Sequence, residues 1–417
     1  MKSTPDDSLL ICDLTQSYSP HGGGGISTYL REKRNYILTR TTHRLLQIVP
    51  GPETKVVENG RHIWVEIAAD PVRGSPNYRF ILKTGAVRQV LEQYRPDLIE
   101  SLCPWILPWT AINYRRANPA TALVAGYHTD FPNAHIHRVG VELFGQTFAA
   151  GLRRLSVGYA ERTYREFDRI YVLGEAMRET LASYRIDHVD VMHLGVDTAL
   201  FNPRRRDPEF RSSIGLGGEG PLLVYAGRID NEKRADRLVA LMRALPDRFG
   251  AALLMLGDGK LLDKLREESA GLRISFPGFQ QDREKLARAL ASADIYVSAM
   301  ADETFGISII EAQACGLPVV GVASGAMPER VPRGTGLLGP VDDIAAMAAN
   351  VMAVWQGCTE GLGAAGMGAA ARQSVEQRYS WDRTFETLLG EIYPRAMNRA
   401  FAPPAEKRRV RLFAYSS

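Results

Sequence analysis

Cysteine is scarce in this chain of 417 residues. Cys12, Cys103, Cys315 and Cys358 are scattered without any C-x-x-C spacing. That speaks against a disulfide framework or a cysteine zinc site and fits reduced thiols in a cytosolic protein. Charge of one sign is lacking too: 51 Lys and Arg against 47 Asp and Glu leave a formal net charge of +4, so no nucleic-acid partner is expected. Long apolar runs are missing. No stretch approaches the ~18 residues that span a bilayer, and the longest helical apolar stretch, Ala345–Trp355, reads as a buried helix. Met1–Asp7 carries acids and leads straight into a short apolar segment, with no leader pattern; a cytoplasmic location is expected. No G-x-x-x-x-G-K-[ST] occurs, which sets a P-loop ATPase aside. There is no short-period repeat.

What is present is length and alternation. The chain is too long for one ordinary core, so two domains are expected. Hydrophobic content of 45% with 24% charged residues is that of a soluble globular protein. Strand patterns at Leu9–Leu14, His43–Val49, Arg61–Ile67, Asp97–Glu100, Ala122–Tyr127, Arg169–Val172 and Val189–His193 alternate with helical patterns such as Ile26–Leu38, Ile81–Tyr94 and Gly151–Tyr164. A second series starts at Pro221, with strands Leu222–Tyr225, Ala251–Leu256, Arg273–Phe276, Ile295–Met300 and Pro318–Val322. Its helices are Asp236–Leu245, Leu261–Ala270 and Asp282–Ala293. Such alternation predicts α/β architecture, two open parallel sheets wrapped by helices, with ligands at the C-terminal strand ends. The expected division is 1–195, a linker 196–208, a second domain 209–380, a helix 381–400 packing back towards the first domain, and a basic tail 401–417.

The most informative stretch is Glu303-Thr-Phe-Gly-Ile-Ser-Ile-Ile-Glu311. Two carboxylates stand eight positions apart around Gly306, which opens an apolar helix, Ile307–Cys315, that stops at Gly316 and Pro318. A helix N-terminus welcomes an anion. Acids beside it make sense if they accept hydrogen bonds from the hydroxyls of a ribose or sugar attached to that anion. Gly227-Arg228 ends the first strand of the second series, and Glu232-Lys233 follows; the arginine and lysine can converge on one phosphate pair. Gly257-Asp-Gly259 and Gly278-Phe-Gln280 mark neighbouring strand ends, although any one of these glycines alone is an ordinary turn. The run Gly22–Gly25 precedes the first helix, where a phosphate cradle or a plain loop would both fit. His128 follows a strand in Gly126-Tyr-His-Thr-Asp130 and is either a packed histidine or one facing a reacting sugar. His135 and His137, two apart with no acid nearby, make a poor metal pair.

Taken together, these segments make the chain resemble the retaining glycosyltransferases of family 4, with the GT-B fold: two Rossmann-like doubly wound domains facing a central cleft. The likeness rests on Glu303 to Glu311, on Gly227-Arg228 with Glu232-Lys233, on the glycines before Ile26, on Gly195–Phe201 and on Gly325-Ala-Met-Pro-Glu329. It covers nearly the whole chain. Tyr127-His128-Thr-Asp130 is similar to the branch that holds phosphatidylinositol mannosyltransferases and glycolipid or sulfolipid synthases.

The resemblance implies that the second domain binds a nucleotide-diphosphate sugar, UDP- or GDP-linked, and that the first binds the acceptor. Arg228 and Lys233 would hold the diphosphate, helped by backbone at Gly24 and Gly25 and by the glycine-marked strand ends Gly227 and Gly257. Glu311 would accept from the ribose. Glu303 and the N–H groups of Phe305, Gly306 and Ile307 would hold the sugar. Phe279 and Gln280 would flank the base, and His128 would lie beside the reacting face. His128, Arg228, Lys233 and Glu303 are thus the expected catalytic set. No metal and no cofactor is expected, the nucleotide sugar being a substrate. Arg234 departs from the pattern, standing where many relatives carry glycine, and Asn133–Val141 shows no legible motif.

A lipid or lipid-linked acceptor is expected, with peripheral contact at the inner, anionic face of the membrane through the basic run Glu406–Arg411. A soluble small-molecule or polysaccharide acceptor is the alternative, and a non-catalytic nucleotide-sugar-binding scaffold the alternative of another class. No cofactor-lysine signature of a phosphorylase is visible.

Overall fold

In the computed structural model, the described residues are 8–16, 18, 25–72, 75–137, 141, 145–357 and 363–400. Met1–Asp7, Pro20, the glycines Gly22–Gly24, Cys358 and the basic tail lie outside them. The described chain falls into two compact units: residues up to Met192 together with those from Thr384, and His193–Arg383. Residues 196–208 cluster with the second unit, where Arg206 donates to the Ala293 carbonyl at 2.8 Å and Asp207 accepts from Arg288.

In the first unit the strands are β1 (Leu10–Leu14), β2 (Arg44–Gly51), β3 (Lys55–Asn59), β4 (His62–Ala68), β5 (Asp70–Val72), β6 (Ser75–Phe80), β7 (Leu98–Ser101), β8 (Ala122–Tyr127), β9 (Arg169–Val172) and β10 (Val189–Val191). Eight of them form one sheet in the order β10-β9-β8-β7-β1-β2-β4-β3. All neighbours are parallel except β3 and β4. β1 and β8 are buried along their whole length, as strands covered on both faces must be. The antiparallel hairpin β3–β4 departs from the all-parallel expectation. The two-residue turn Gly60-Arg61 joins the paired Asn59 and His62, with Gly60 at a φ of +58°. The helix Gly25–Arg40 buries Tyr29, Leu30, Lys33 and Ile37, an i, i+4, i+8 stripe against the sheet.

The second unit holds β11 (Leu222–Ala226), β12 (Ala252–Leu256), β13 (Ile274–Ser275), β14 (Ile295–Val297), β15 (Val319–Val322) and β16 (Gly336–Gly339). Its sheet is parallel throughout, in the order β13-β12-β11-β14-β15-β16. This is the doubly wound order, with the chain reversing direction across the sheet between β11 and β14. Ligands of such sheets bind outside the carboxyl ends at that reversal.

The C-terminal helical segment runs through Trp381–Thr387, a π-helical turn Leu388–Ile392, and Tyr393–Ala400. From Thr384 onward it belongs with the first unit. Arg395 pairs with Asp190 at 2.7 Å, and Arg399 donates to the Asp168 carbonyl at 3.0 Å. Cys12, Cys103 and Cys315 are buried free thiols.

Candidate functional site

At the carboxyl end of β11 the chain approaches its neighbour too closely for side chains. Gly227 N–H donates to the Leu256 carbonyl at 3.0 Å and Gly257 N–H to the Gly278 carbonyl at 3.1 Å; a Cβ on Gly257 would run into the Gly227 carbonyl. The predicted strand-end glycines Gly227, Gly257 and Gly278 therefore form one continuous backbone edge. Phe279 stands out from that edge, 46% exposed. The Gln280 amide turns back towards the Gly278 carbonyl at 3.5 Å.

The loop after β11 carries the two predicted cations, and they go to different partners. Arg228 spans the acids of its own loop, at 2.6 Å from Asp230 and 2.8 Å from Glu232. Lys233 crosses to the loop after β14, where Nζ lies 3.0 Å from Glu303 Oε2 and 2.8 Å from Met300 Sδ. Asp230 fixes the turn by accepting from the Lys233 N–H at 2.9 Å. Arg234 follows with φ +52° and pairs with Asp342, itself at φ +62°. A left-handed backbone favours glycine, so Arg234 holds a conformation in which glycine would be less strained.

Gly306 opens the helix Ile307–Ala314 at φ +81° and ψ +59° with no side-chain cap. Its lack of a Cβ matters twice: the conformation is left-handed, and a Cβ would stand 2.5 Å from Ile309 Cδ1. The amides that open the helix, which a side-chain cap would otherwise satisfy, point out of the sheet. Ser308 ties this end to the β11 edge: its hydroxyl lies 2.9 Å from that of Tyr296, which donates to the Ala226 carbonyl at 3.2 Å. Gly325, at φ +58°, packs onto the Glu303 backbone, where a Cβ would stand 2.6 Å from the carbonyl oxygen. Ala326 N–H donates to that same oxygen at 2.7 Å.

Glu311 sits one helical turn inside, buried, and accepts from Arg283 at 2.8 Å. Arg283 in turn lies over the Phe201 ring, 4.7 Å from its centroid. The two acids of the opening motif thus serve different cations, Lys233 and Arg283. Sequence reading missed Arg283, Asp230 and also Arg330. Arg330 is fully buried; its Nε donates to the Phe305 carbonyl at 2.8 Å, and Nη1 reaches Tyr379 and Glu329, each at 2.9 Å. Its guanidinium stacks 4.2 Å from the Phe305 centroid, so it fixes the peptide from which the helix departs. Glu329 also meets His193 at 2.6 Å. Burial alone would raise the Glu329 carboxyl, but the bond from His193 and the charge of Arg330 outweigh it and hold it at about 2. The legible signal for Arg330 was its place directly after the Gly325–Glu329 motif.

In the first unit, Gly25 is the first residue of its helix; Gly24 lies outside the described residues. His128 follows β8 half-buried, its Nε2 3.2 Å from the Tyr171 hydroxyl, with the Tyr29 and Tyr171 rings edge-on at 5.8 and 5.6 Å. Burial pushes its pKa down to about 4. Asp130 of the same motif is an anchor, accepting from Tyr127 and Tyr184 and from Asn133. Asn133 begins the stretch that showed no motif; there Pro132–His137 forms a π-helical turn, and the side chains of His135 and His137 lie outside the description.

Residues 23–200 match the family described as Glycosyltransferase Family 4, and residues 220–356 the one described as Glycosyl transferases group 1. The chain is 29% identical over 336 residues to a GDP-mannose-dependent alpha-(1-6)-phosphatidylinositol dimannoside mannosyltransferase of Mycobacterium tuberculosis, covering 79% of this chain and 83% of that one. It is 27% identical to a GDP-mannose-dependent alpha-mannosyltransferase of Mycolicibacterium smegmatis, over 92% and 96% of the two chains. Sulfoquinovosyl transferase SQD2 of Arabidopsis thaliana is 28% identical over 74% of this chain and 58% of its own. Among solved structures, sucrose-phosphate synthase from Thermosynechococcus elongatus superposes with a TM-score of 0.75 at 20% identity, over 94% and 99% of the chains. Anabaena HepE with UDP-glucose gives 0.67 at 21%, over 92% and 100%. The two family matches together span most of the chain. It is a glycosyltransferase of group 1 and family 4, with the GT-B fold.

Proposed function

We propose that this glycosyltransferase moves a hexose with retention from a nucleotide-diphosphate sugar, GDP-mannose first among the candidates, to a lipid or lipid-linked acceptor. The observation that carries the donor half is the Lys233–Glu303 pair beside the uncapped helix opened by Gly306. A departing nucleoside diphosphate is already a good leaving group. The transition state needs compensation for charge growing on phosphate, which a fixed ammonium and a helix N-terminus supply. Lys233 then turns from Glu303 towards phosphate, and Glu303 accepts from sugar hydroxyls. Arg228 supplies the second cation, and Glu311, oriented by Arg283, receives the ribose. Phe279 and Gln280 flank the base, and Gly24 and Gly25 assist the diphosphate. His128 sits beside the reacting sugar. Side chains thus do the work a metal ion would do elsewhere, and transfer is expected to persist in chelator. GDP-mannose is favoured by the names of the relatives above, as is a lipid acceptor.

A surface feature supports the lipid. On the helix Gln146–Tyr164, Phe148 and Leu155 are 54% and 73% exposed. Seven residues apart, they share one face, with exposed Arg154 beside them. An apolar stripe with basic neighbours suits an anionic lipid surface. Among the described residues no helix is long and apolar enough to cross a membrane, so contact would be peripheral.

The test offers GDP-mannose with vesicles of mannosylated phosphatidylinositol and anionic phospholipid, and reads the new anomeric configuration by proton NMR. An α-linked product from the α-linked donor is expected; a β-linked product would refute retention. In flotation, Leu155→Glu is expected to lose vesicle binding at least several-fold. Full activity on a soluble acceptor without vesicle binding would sink the lipid assignment.

A further inference from the structure

Beneath His128 lies a charge cluster sealed from solvent. Lys33, Asp13 and Glu100 have no exposure. One ammonium stands between two carboxylates, donating to Glu100 Oε2 at 2.8 Å and to Asp13 Oδ1. An uncompensated negative charge in a dry interior is costly unless hydrogen bonds quench it or a proton neutralises it. At Glu100 phenols quench it: Tyr29 and Tyr171 donate to Oε1 at 2.8 and 2.7 Å, and Tyr393 donates to Oε2. Burial by itself would raise the Glu100 carboxyl; Lys33 and the hydroxyls outweigh it and hold it below its usual value. Asp13 goes the other way, burial raising it against the pull of Lys33. Glu100 accepts at both oxygens, from Tyr29, Tyr171, Lys33 and Tyr393, so it has no hydrogen to give.

The consequence reaches His128 in one step. A phenol carries a single hydrogen, and that of Tyr171 is committed to Glu100. Only a lone pair remains for the imidazole 3.2 Å away, so Nε2 must carry the hydrogen. We propose that Lys33, Glu100 and Tyr171 are positioning residues that hold His128 as its Nε2–H tautomer, with Nδ1 left as a lone-pair acceptor for a hydroxyl of a sugar or polyol substrate. Gly126 makes room for this bond. A Cβ there would stand 2.5 Å from the Tyr171 hydroxyl and 2.6 Å from Nε2. Among the described residues no hydrogen bond reaches Nδ1. The low pKa keeps the ring neutral at physiological pH, so His128 orients a hydroxyl and does not protonate the leaving phosphate. What Nδ1 receives rests on the placement of His128 beside the sugar proposed above; the tautomer follows from the contacts alone.

The test uses the full chain with ¹⁵N-labelled histidine at neutral pH, His128 being assigned by the signals that vanish in His128→Ala. A pyrrole-type Nε2 and a pyridine-type Nδ1 are expected, and the reverse pattern would overturn the proposal without need of any further variant. Tyr171→Phe removes the lone pair; a shift towards mixed tautomers is expected, and an unchanged His128 pattern would strip Tyr171 of its role. In the same variant kcat should fall about tenfold, the worth of one net hydrogen bond, with GDP affinity unchanged. A normal transfer rate in His128→Ala would overturn the substrate hydroxyl at Nδ1, while the spectra separately decide the tautomer.

Discussion

At the scale of single residues, Lys233 and Glu303 neutralise each other at 3.0 Å before any ligand arrives. A pair of this kind is a poor stability device when partly exposed; under the proposed function it is a good exchange device, a diphosphate sugar offering anion to the one and hydroxyls to the other. Lys233→Ala is expected to lower kcat by about 10²–10³-fold in a steady-state transfer assay; a near-normal rate would refute its role. His128 makes a second prediction. Its pKa falls from 6.5 unfolded to about 4 folded, so the unfolded chain binds more protons between those values and stability declines as pH drops through that window. His62, also at about 4, adds to the same slope. Thermal unfolding should show this decline in the wild type and a shallower one in His128→Asn, and transfer should show no inflection near pH 6.5. The acids stood out in sequence because their spacing puts one before a helix and one inside it. Their cations were less so. Arg283 lies 28 residues upstream on another helix, and no local pattern announces such a meeting.

At the scale of elements, strands buried on both faces were the most legible, because Leu10–Leu14 or Leu222–Ala226 can only be the middle of a covered parallel sheet. Short edge elements were not. β3 is exposed along its length, so no apolar run marked it. The stretch 132–137 takes a π-helical turn, and its mixed sequence Pro-Asn-Ala-His-Ile-His is too short to show a helical stripe. Lys33 shows the limit of charge as a guide: it sits on the buried face between Tyr29 and Ile37, where position outweighs residue type. The loop before the helix Ile307–Ala314 is held by Arg330 from beneath. Arg330→Met would keep the bulk but orphan the Phe305 carbonyl and release Glu329. It is expected to cost about 3 kcal/mol in urea unfolding and to weaken nucleotide-sugar binding, whereas binding of normal strength would dissociate this clamp from the donor site.

At the scale of the molecule, one sequence supports two sheets that differ in what they carry. The second is doubly wound, with the proposed donor residues after β11 and β14, on either side of its reversal point. The first carries His128 above a sealed ionic cluster to which the C-terminal segment contributes Tyr393. The proposed donor site is the one built around Lys233, Glu303 and Gly306. A thermal-shift panel of UDP, GDP and their sugars, run on the wild type and on Lys233→Ala, tests it most directly. At about 100 times its dissociation constant the true donor should stabilise the wild type by about 2.7 kcal/mol, with GDP-mannose giving the largest shift and the variant losing most of it. No shift from any nucleotide, or an equal shift in both proteins, would rule out a donor site at Lys233.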